Sequence, residues 1–226
     1  VLLRSKGFVD TGNTCFESKE KNYVKRLKNA GIKSGDSQDV LLQVLNKKVY
    51  FCAAVTKIYR KKILDKYQIR FKSGILHEDE EWTPRVMLKS KKVFVFDDTF
   101  YMRRYRRNSI TTSKDESMIL RRIKDYLFIA DTMIPYVNNC EINVDLKEKL
   151  EIHFRTFFIS CMFLYLRLNN ELNKRQANNA IKEKLNLISE GKSIRFNIIT
   201  LFVNTFGLEV TSNILLNFNK YRSIFL

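Results

Sequence analysis

From Ser113 onward apolar residues recur at three- and four-residue steps, the period of helices that bury one face. Ile119, Ile123, Tyr126, Leu127, Ala130, Met133, Ile134 and Val137 fall on one such face, and Ser113-Lys114-Asp115-Glu116 ahead of them reads as a capping box. Asp145 with Glu148 opens a second helix, whose Leu146, Leu150, Phe154, Phe157, Cys161, Leu164, Leu168 and Leu172 keep the spacing. Ala177, Ile181, Leu185 and Ile188 predict a third, stopped by Gly191. Phe196, Ile199, Val203 and Phe206 predict a fourth, stopped by Gly207, and Ile214, Leu215, Phe218 and Tyr221 a short fifth. Residues 114–226 therefore read as a helical bundle.

Residues 1–113 carry a different pattern. Val49–Val55 and Val93–Phe96 are short apolar runs of the buried-strand type. Between them Val40, Leu41, Val44 and Leu45 suit one helix face, with Asp36 or Ser37 as cap. Ile63–Phe71 reads as a helix end running into a strand, and Glu78–Ser90 as another helix. The fold class is α/β, a partial sheet followed by an α-helical C-terminal bundle.

Composition narrows the classes. Of 226 residues 45% are apolar and 29% charged, which excludes disorder and a membrane bundle as defaults. Seven Gly and two Pro leave little room for a turn-rich β-sandwich. Cys15, Cys52, Cys140 and Cys161 are scattered, and with only His77 and His153 beside them no zinc spacing can be assembled. Unpaired thiols in a basic chain point to the cytoplasm. The longest apolar run, Phe157–Leu166, is well short of the ~20 residues of a spanning helix. Val1 stands inside an apolar run rather than at a Met start, so a preceding segment is expected in the natural protein.

Charge adds an anionic partner. Lys and Arg number 41 against 24 Asp and Glu, a net charge of +17. Residues 1–113 hold 25 basic and 12 acidic side chains, a net +13, and the rest a net +4. Nucleotide diphosphate, nucleic acid and an acidic membrane surface all satisfy such a half, and a solvated lysine surface explains part of the excess.

Three motifs carry candidate chemistry. Gly7-Phe8-Val9-Asp10-Thr11-Gly12-Asn13-Thr14 has the glycine spacing of a phosphate loop but Asn13 where its lysine must stand. Val93-Phe94-Val95-Phe96-Asp97-Asp98 looks like a strand ending in a Mg²⁺-binding acid; a glycine turn and an acidic strand end explain both fragments. The third is Gly74-Ile75-Leu76-His77-Glu78-Asp79-Glu80-Glu81-Trp82-Thr83-Pro84, four acids at a predicted helix start. Acids favour a helix N-terminus, and an Asp there is also fit to act as a general base. Chemistry alone leaves both readings open.

A resemblance weighs on that choice. Ala54-Val55-Thr56-Lys57-Ile58-Tyr59-Arg60-Lys61 is followed by Ile69-Arg70-Phe71, His77-Glu78-Asp79-Glu80 and Val93–Asp97. Phe100-Tyr101-Met102-Arg103-Arg104-Tyr105-Arg106-Arg107-Asn108-Ser109-Ile110-Thr111-Thr112 closes the series. In this order, residues 50–113 resemble the second half of the catalytic domain of family 2 glycosyltransferases, the inverting GT-A enzymes of bacterial capsule, O-antigen and exopolysaccharide synthesis. Val55-Thr56 stands where the family has Trp-Asn. The family's nucleotide-binding half, with the D-x-D that holds its metal, is absent from this chain.

The resemblance implies a partial GT-A sheet over residues 1–113 and a helical region over 114–226. It also implies transfer of a sugar from a nucleotide-diphosphate donor to a hydroxyl of a glycan or lipid-linked acceptor, with inversion. Asp79 is then the base and Glu78 its orienting or acceptor-binding neighbour. Arg104 and Arg106 match the family's R-x-R and would meet the diphosphate. His77 and Trp82 fall on the substrate side, Trp82 by stacking or by core packing; Lys57 and Tyr59 match the family or are structural. The implied cofactor is a divalent metal, Mg or Mn, with ligands outside this chain. The expected location is cytoplasmic and peripheral on the inner membrane face, where Phe196–Leu226 would lie as an interfacial helix or pack into the bundle. The rival readings are a basic nucleic-acid-binding module, the less favoured, and a non-catalytic partner subunit of a glycosyltransferase.

Overall fold

The computed structural model describes residues 2–4, 27, 29–96, 115–189 and 193–222. Helices dominate, accompanied by one small sheet. The chain divides into two units, Val1–Asn108 with Glu141–Lys149, and Ser109–Cys140 with Leu150–Leu226.

In the first unit, strands β1 (Leu2–Arg4), β2 (Gly35–Asp36), β3 (Lys57–Ile58) and β4 (Lys92–Phe96) form a sheet of order β2-β4-β1-β3. β1 runs parallel to β4, and the other two pairings are antiparallel. Helix α1 (Ser37–Asn46) starts where the Asp36 carboxylate accepts the Gln38 N–H at 2.9 Å, satisfying a donor that the helix itself cannot. Its Val40, Leu41 and Val44 are buried. The Ser37 hydroxyl donates to the Met87 carbonyl at 2.7 Å, tying the start of α1 to the end of α3 (Glu78–Lys89).

Two expected strands are missing. Residues 49–53 are irregular and continue into a 3-10 turn, Ala54–Thr56. The reason lies in the acceptors: the carbonyls of Phe51 and Ala53 receive the Lys57 ammonium, and that of Cys52 receives the Thr83 hydroxyl. A strand would need those groups for its ladder. Ile69–Phe71 likewise stays out of the sheet. After helix α2 (Lys61–Lys66), Gln68 turns left-handed at φ 49°, the Ile69 N–H closes onto Leu64, and the Arg70 carbonyl accepts from Arg85.

The second unit contains α4 (Glu116–Asn138), the greater part of α5 (Val144–Tyr165), α6 (Glu171–Glu183), α7 (Asn186–Ser189) and α8 (Ile194–Arg222). Ile123, Ala130, Met133 and Val137 of α4 and Phe154, Phe158 and Cys161 of α5 are fully buried. The helix expected to reach Leu172 ends at Tyr165; Leu172 opens α6 and stands exposed. The third predicted helix breaks at Lys184 into α6 and α7. Below that break the guanidinium of buried Arg155 donates to the carbonyls of Leu187 and Ile188 and meets Glu151 at 3.2 Å. Gly207, at φ 80°, interrupts α8 where the fourth helix was expected to stop; only Gly takes that backbone without strain.

The capping assignment at α4 is corrected. Asp115 is the cap, accepting the Ser117 N–H at 3.0 Å, while Ser113 lies outside the described residues. Glu116 serves another helix. Its carboxylate accepts the N–H groups of Asn169 at 2.9 Å and Asn170 at 3.0 Å and the Asn173 amide at 3.2 Å, all at the start of α6. Those bonds hold its carboxyl below the ordinary range, as a negative charge at a helix N-terminus should be held. A carboxyl held low stabilises the fold above its unfolded pKa and loses that contribution as pH falls through the lowered value. Glu116→Gln should therefore lower the melting temperature at pH 7, and the gap from wild type should close on acidification below about pH 4.5. A gap independent of pH would assign the loss to shape rather than charge.

Candidate functional site

The acid-rich motif folds into the first turn of α3. Glu78, Asp79, Glu80 and Glu81 all lie in that turn, where free N–H groups favour negative charge. His77 precedes them in a left-handed conformation, φ 61° and ψ 33°, and its carbonyl accepts the Glu80 N–H at 2.9 Å. A left-handed non-glycine residue costs energy, of order 1–3 kcal/mol, and such residues gather at functional sites.

Each acid has its own surroundings. Asp79 is half-buried, and its Oδ1 accepts the Ala54 N–H at 3.1 Å. Among the described residues its second oxygen takes no hydrogen bond. Loss of water around it pushes the carboxyl up; the Ala54 bond and the Lys57 charge oppose this, and Glu78 and Glu80 add to it. Glu81 is buried and paired with Arg85, whose Nη2 donates to Oε2 at 3.2 Å while its Nε stands 2.9 Å from Oε1 without a hydrogen bond. Its carboxyl is also pushed up by burial, against the pull of Arg85. Glu78 is half-buried, and Glu80 faces Cys52 with its side chain.

A loop supports this turn. The Lys57 ammonium is buried and donates to Phe51 O at 2.7 Å, Ala53 O at 3.0 Å and Thr56 Oγ1 at 3.3 Å. Desolvation pulls its pKa down to about 8, and Cys52, Asp79 and Glu80 act in the opposite sense. One turn beyond Asp79, the Thr83 hydroxyl donates to Cys52 O at 2.6 Å. Two hydrogen bonds of opposite direction thus join loop and helix. Burial also pushes the Cys52 thiol and the Tyr59 phenol up, so neither is a ready nucleophile.

Of the two roles open to Trp82, stacking on a sugar or core packing, the structure shows the packing. It is 4% exposed, with Phe71 stacked on it at 4.3 Å and Tyr59 edge-on at 4.7 Å. Its ring therefore offers no open face to a sugar; the outer ring of the stack is Phe71, 49% exposed. The structure brings His77, Glu78, Asp79 and Trp82 together because they are the cap and the opening residues of one helix. Sequence reasoning left Lys57 undecided, because a lysine is ordinarily exposed and its burial depends on the loop carbonyls that receive it.

Arg104, Arg106, the whole run Tyr101–Arg107, the Gly7–Thr14 fragment and Asp97-Asp98 lie outside the described residues. Among the described residues no group of His, Cys, Asp and Glu is placed to hold a metal ion. Cys52, Cys140 and Cys161 are free thiols, and His153 packs edge-on against Phe154 and Phe157. Comparison with known proteins gives no match: no family model, no curated protein and no solved structure matches the chain.

The raised carboxyl of Asp79 has a consequence for stability. A folded pKa above the unfolded value of 3.8 means that the folded state binds more protons, so stability falls as pH rises through that window. Asn keeps an oxygen for the Ala54 N–H and removes the charge. Asp79→Asn should melt at or above the wild-type temperature at pH 7, in scans compared at pH 4 and pH 7. A clear drop at pH 7 would make Asp79 a structural anchor instead.

Proposed function

We propose that this chain is the acceptor-side part of an inverting glycosyltransferase that moves a sugar from a nucleotide diphosphate to a hydroxyl group. The observation that supports it most is Asp79: a half-buried carboxylate, steadied on one oxygen and with the other without a protein partner among the described residues. The resemblance of residues 50–113 to family 2 glycosyltransferases supplies the reaction class, and the sheet of β1–β4 is then part of a GT-A-like layer.

The chemistry is a single displacement. Asp79 takes the proton of the acceptor hydroxyl as that oxygen attacks the anomeric carbon; the bond from that carbon to the diphosphate breaks, and the diphosphate leaves with the electron pair. A base with a raised pKa is better matched to this task than an ordinary carboxylate. Glu78 orients Asp79 or binds the acceptor. Arg104 and Arg106 neutralise the departing diphosphate, as forked donors suit its oxygens. A divalent cation, where the reaction uses one, draws its ligands from outside the described residues.

The place of work is the cytoplasmic face of a membrane. Ile194–Phe218 is long and apolar enough to cross a bilayer by length and composition, with mean hydropathy 1.4, a test that the core helix of a soluble protein also passes. The polar residues that punctuate it, Asn197, Asn204 and Glu209 among them, hid it from a search for unbroken apolar runs. Phe196, Ile199, Val203 and Leu208 are buried, whereas Ile194, Ile198, Leu201, Phe206, Val210, Ile214 and Phe218 are exposed. An apolar stripe on a chain of +17 is complementary to an anionic lipid surface.

Two experiments on the full-length protein test this. In a screen of nucleotide sugars with Mg²⁺ or Mn²⁺, Asp79→Asn should lower turnover at least about a hundredfold while donor binding changes little, since a positioned base contributes roughly 10²- to 10⁴-fold. Glu80→Gln should stay active. The wild-type acid limb should be displaced upward from that of an ordinary aspartate, and near-normal transfer by Asp79→Asn would refute the reading. Separately, the protein should pellet with phosphatidylglycerol vesicles at low salt, and Phe206→Ser with Phe218→Ser should release it without lowering its melting temperature. A protein that stays in the supernatant, or that buries this stripe by self-association, rules out the membrane placement.

A further inference from the structure

Lys57 is an unusual expenditure of charge. Its ammonium is buried among three oxygens of its own loop, with no carboxylate directly bonded to it among the described residues. Burying a cation against neutral acceptors costs several kcal/mol before any compensation, and the three hydrogen bonds satisfy all its donors. An apolar residue would fill the same space without that cost, so the arrangement calls for a use beyond packing.

The bonds show what is held. The ammonium draws Phe51 O and Ala53 O inward on one side of Ala54, and Thr56 Oγ1 on the other; the Thr56 hydroxyl itself donates back to Ala53 O at 2.7 Å. With those oxygens fixed, the Ala54 N–H points outward from the loop onto Asp79 Oδ1 at 3.1 Å. The Thr83 bond to Cys52 O sets the separation between loop and helix.

We propose that Lys57 is a positioning residue for Asp79: it fixes the Ala54 N–H that occupies one carboxylate oxygen and turns the other toward the incoming hydroxyl. This deepens the glycosyltransfer reading and rests on it for the word hydroxyl, but the Lys57–Ala54–Asp79 coupling stands on geometry alone. The groups facing Lys57 are Cys52, Asp79 and Glu80. Its charge and the Ala54 bond both act to lower the pKa of Asp79, so loss of either should raise it.

The test uses the full-length protein and two probes. The first is the titration of the Asp79 carboxyl carbon by NMR, compared in wild type, Lys57→Met and Ala54→Pro. Pro is chosen because Ala54 is the first residue of a 3-10 turn, a position that tolerates it, and because it removes the N–H and sets its ring Cδ where that N–H pointed, so that Asp79 Oδ1 must part from the loop. The second probe is turnover against pH with whichever nucleotide sugar the wild type accepts. Both variants should shift the Asp79 midpoint and the acid limb upward and lower turnover at least about tenfold, with donor binding unchanged; Lys57→Arg should restore part of the loss. If Lys57→Met does not fold, the Ala54→Pro titration decides. An unmoved midpoint in Ala54→Pro overturns the inference, as does lost turnover with an unmoved acid limb, which is what mere packing would give. Failure of the glycosyltransfer reading is seen elsewhere, in an Asp79→Asn variant that keeps its activity.

Discussion

The first unit turns on a pair of hydrogen bonds between a loop and a helix start. Ala54 donates its N–H to Asp79, and Thr83 donates its hydroxyl to Cys52 O, so loop and helix each give and each receive. Neither segment carries enough local preference to adopt this form alone. The loop reads as a strand, and the helix begins at a left-handed histidine with no side-chain cap bond and carries Pro84 inside it. Proline there removes the N–H that Glu80 O would receive and crowds that carbonyl. Burial of Trp82, Val86, Met87 and Leu88 offsets that cost, each large side chain contributing about 1.5–3 kcal/mol when removed from water.

What could be read from the sequence follows from which forces are local. The helices of the second unit were legible because burial of one face imposes a period, and Ile123, Ala130, Phe154 and Cys161 obey it. Asp36 as a cap and Gly207 as a break were legible because each acts on its own neighbours. Val49–Val55 misled because apolar content says that a segment is buried and not how its carbonyls are satisfied; that depended on Lys57 and on Thr83, 31 residues from Cys52. Glu116 misled for the same reason. A Ser and a Glu three apart suggest a reciprocal cap, but this Glu finds better donors at the start of α6, more than fifty residues on.

The candidate site shows the same division. The crowding of Glu78, Asp79, Glu80 and Glu81 was visible as text, and their common place at a helix start followed from it. Their differences were not. Glu81 is paired with Arg85 and tied through it to Arg70 O, whereas Asp79 has only a backbone N–H. Four similar carboxylates thus become unlike groups, Glu81 through an arginine one turn on and Asp79 through a loop far from it in the chain. Trp82 could not be assigned until Phe71 and Tyr59 were seen against its ring.

A half-buried carboxylate beside a buried ammonium might be taken for a stabilising ion pair, but the energetics run the other way. Lys57 spends its hydrogen bonds on the loop, and its influence on Asp79 is exerted through space and through Ala54. Both ionised groups are disfavoured by desolvation, the lysine pulled down to about 8 and the aspartate pushed up. Full pairing would pull the aspartate down, and isolation would push it further up. The Lys57 charge and the Ala54 amide oppose the desolvation that raises it. That balance requires the loop to be held by something other than the carboxylate itself, and the three hydrogen bonds of Lys57 hold it.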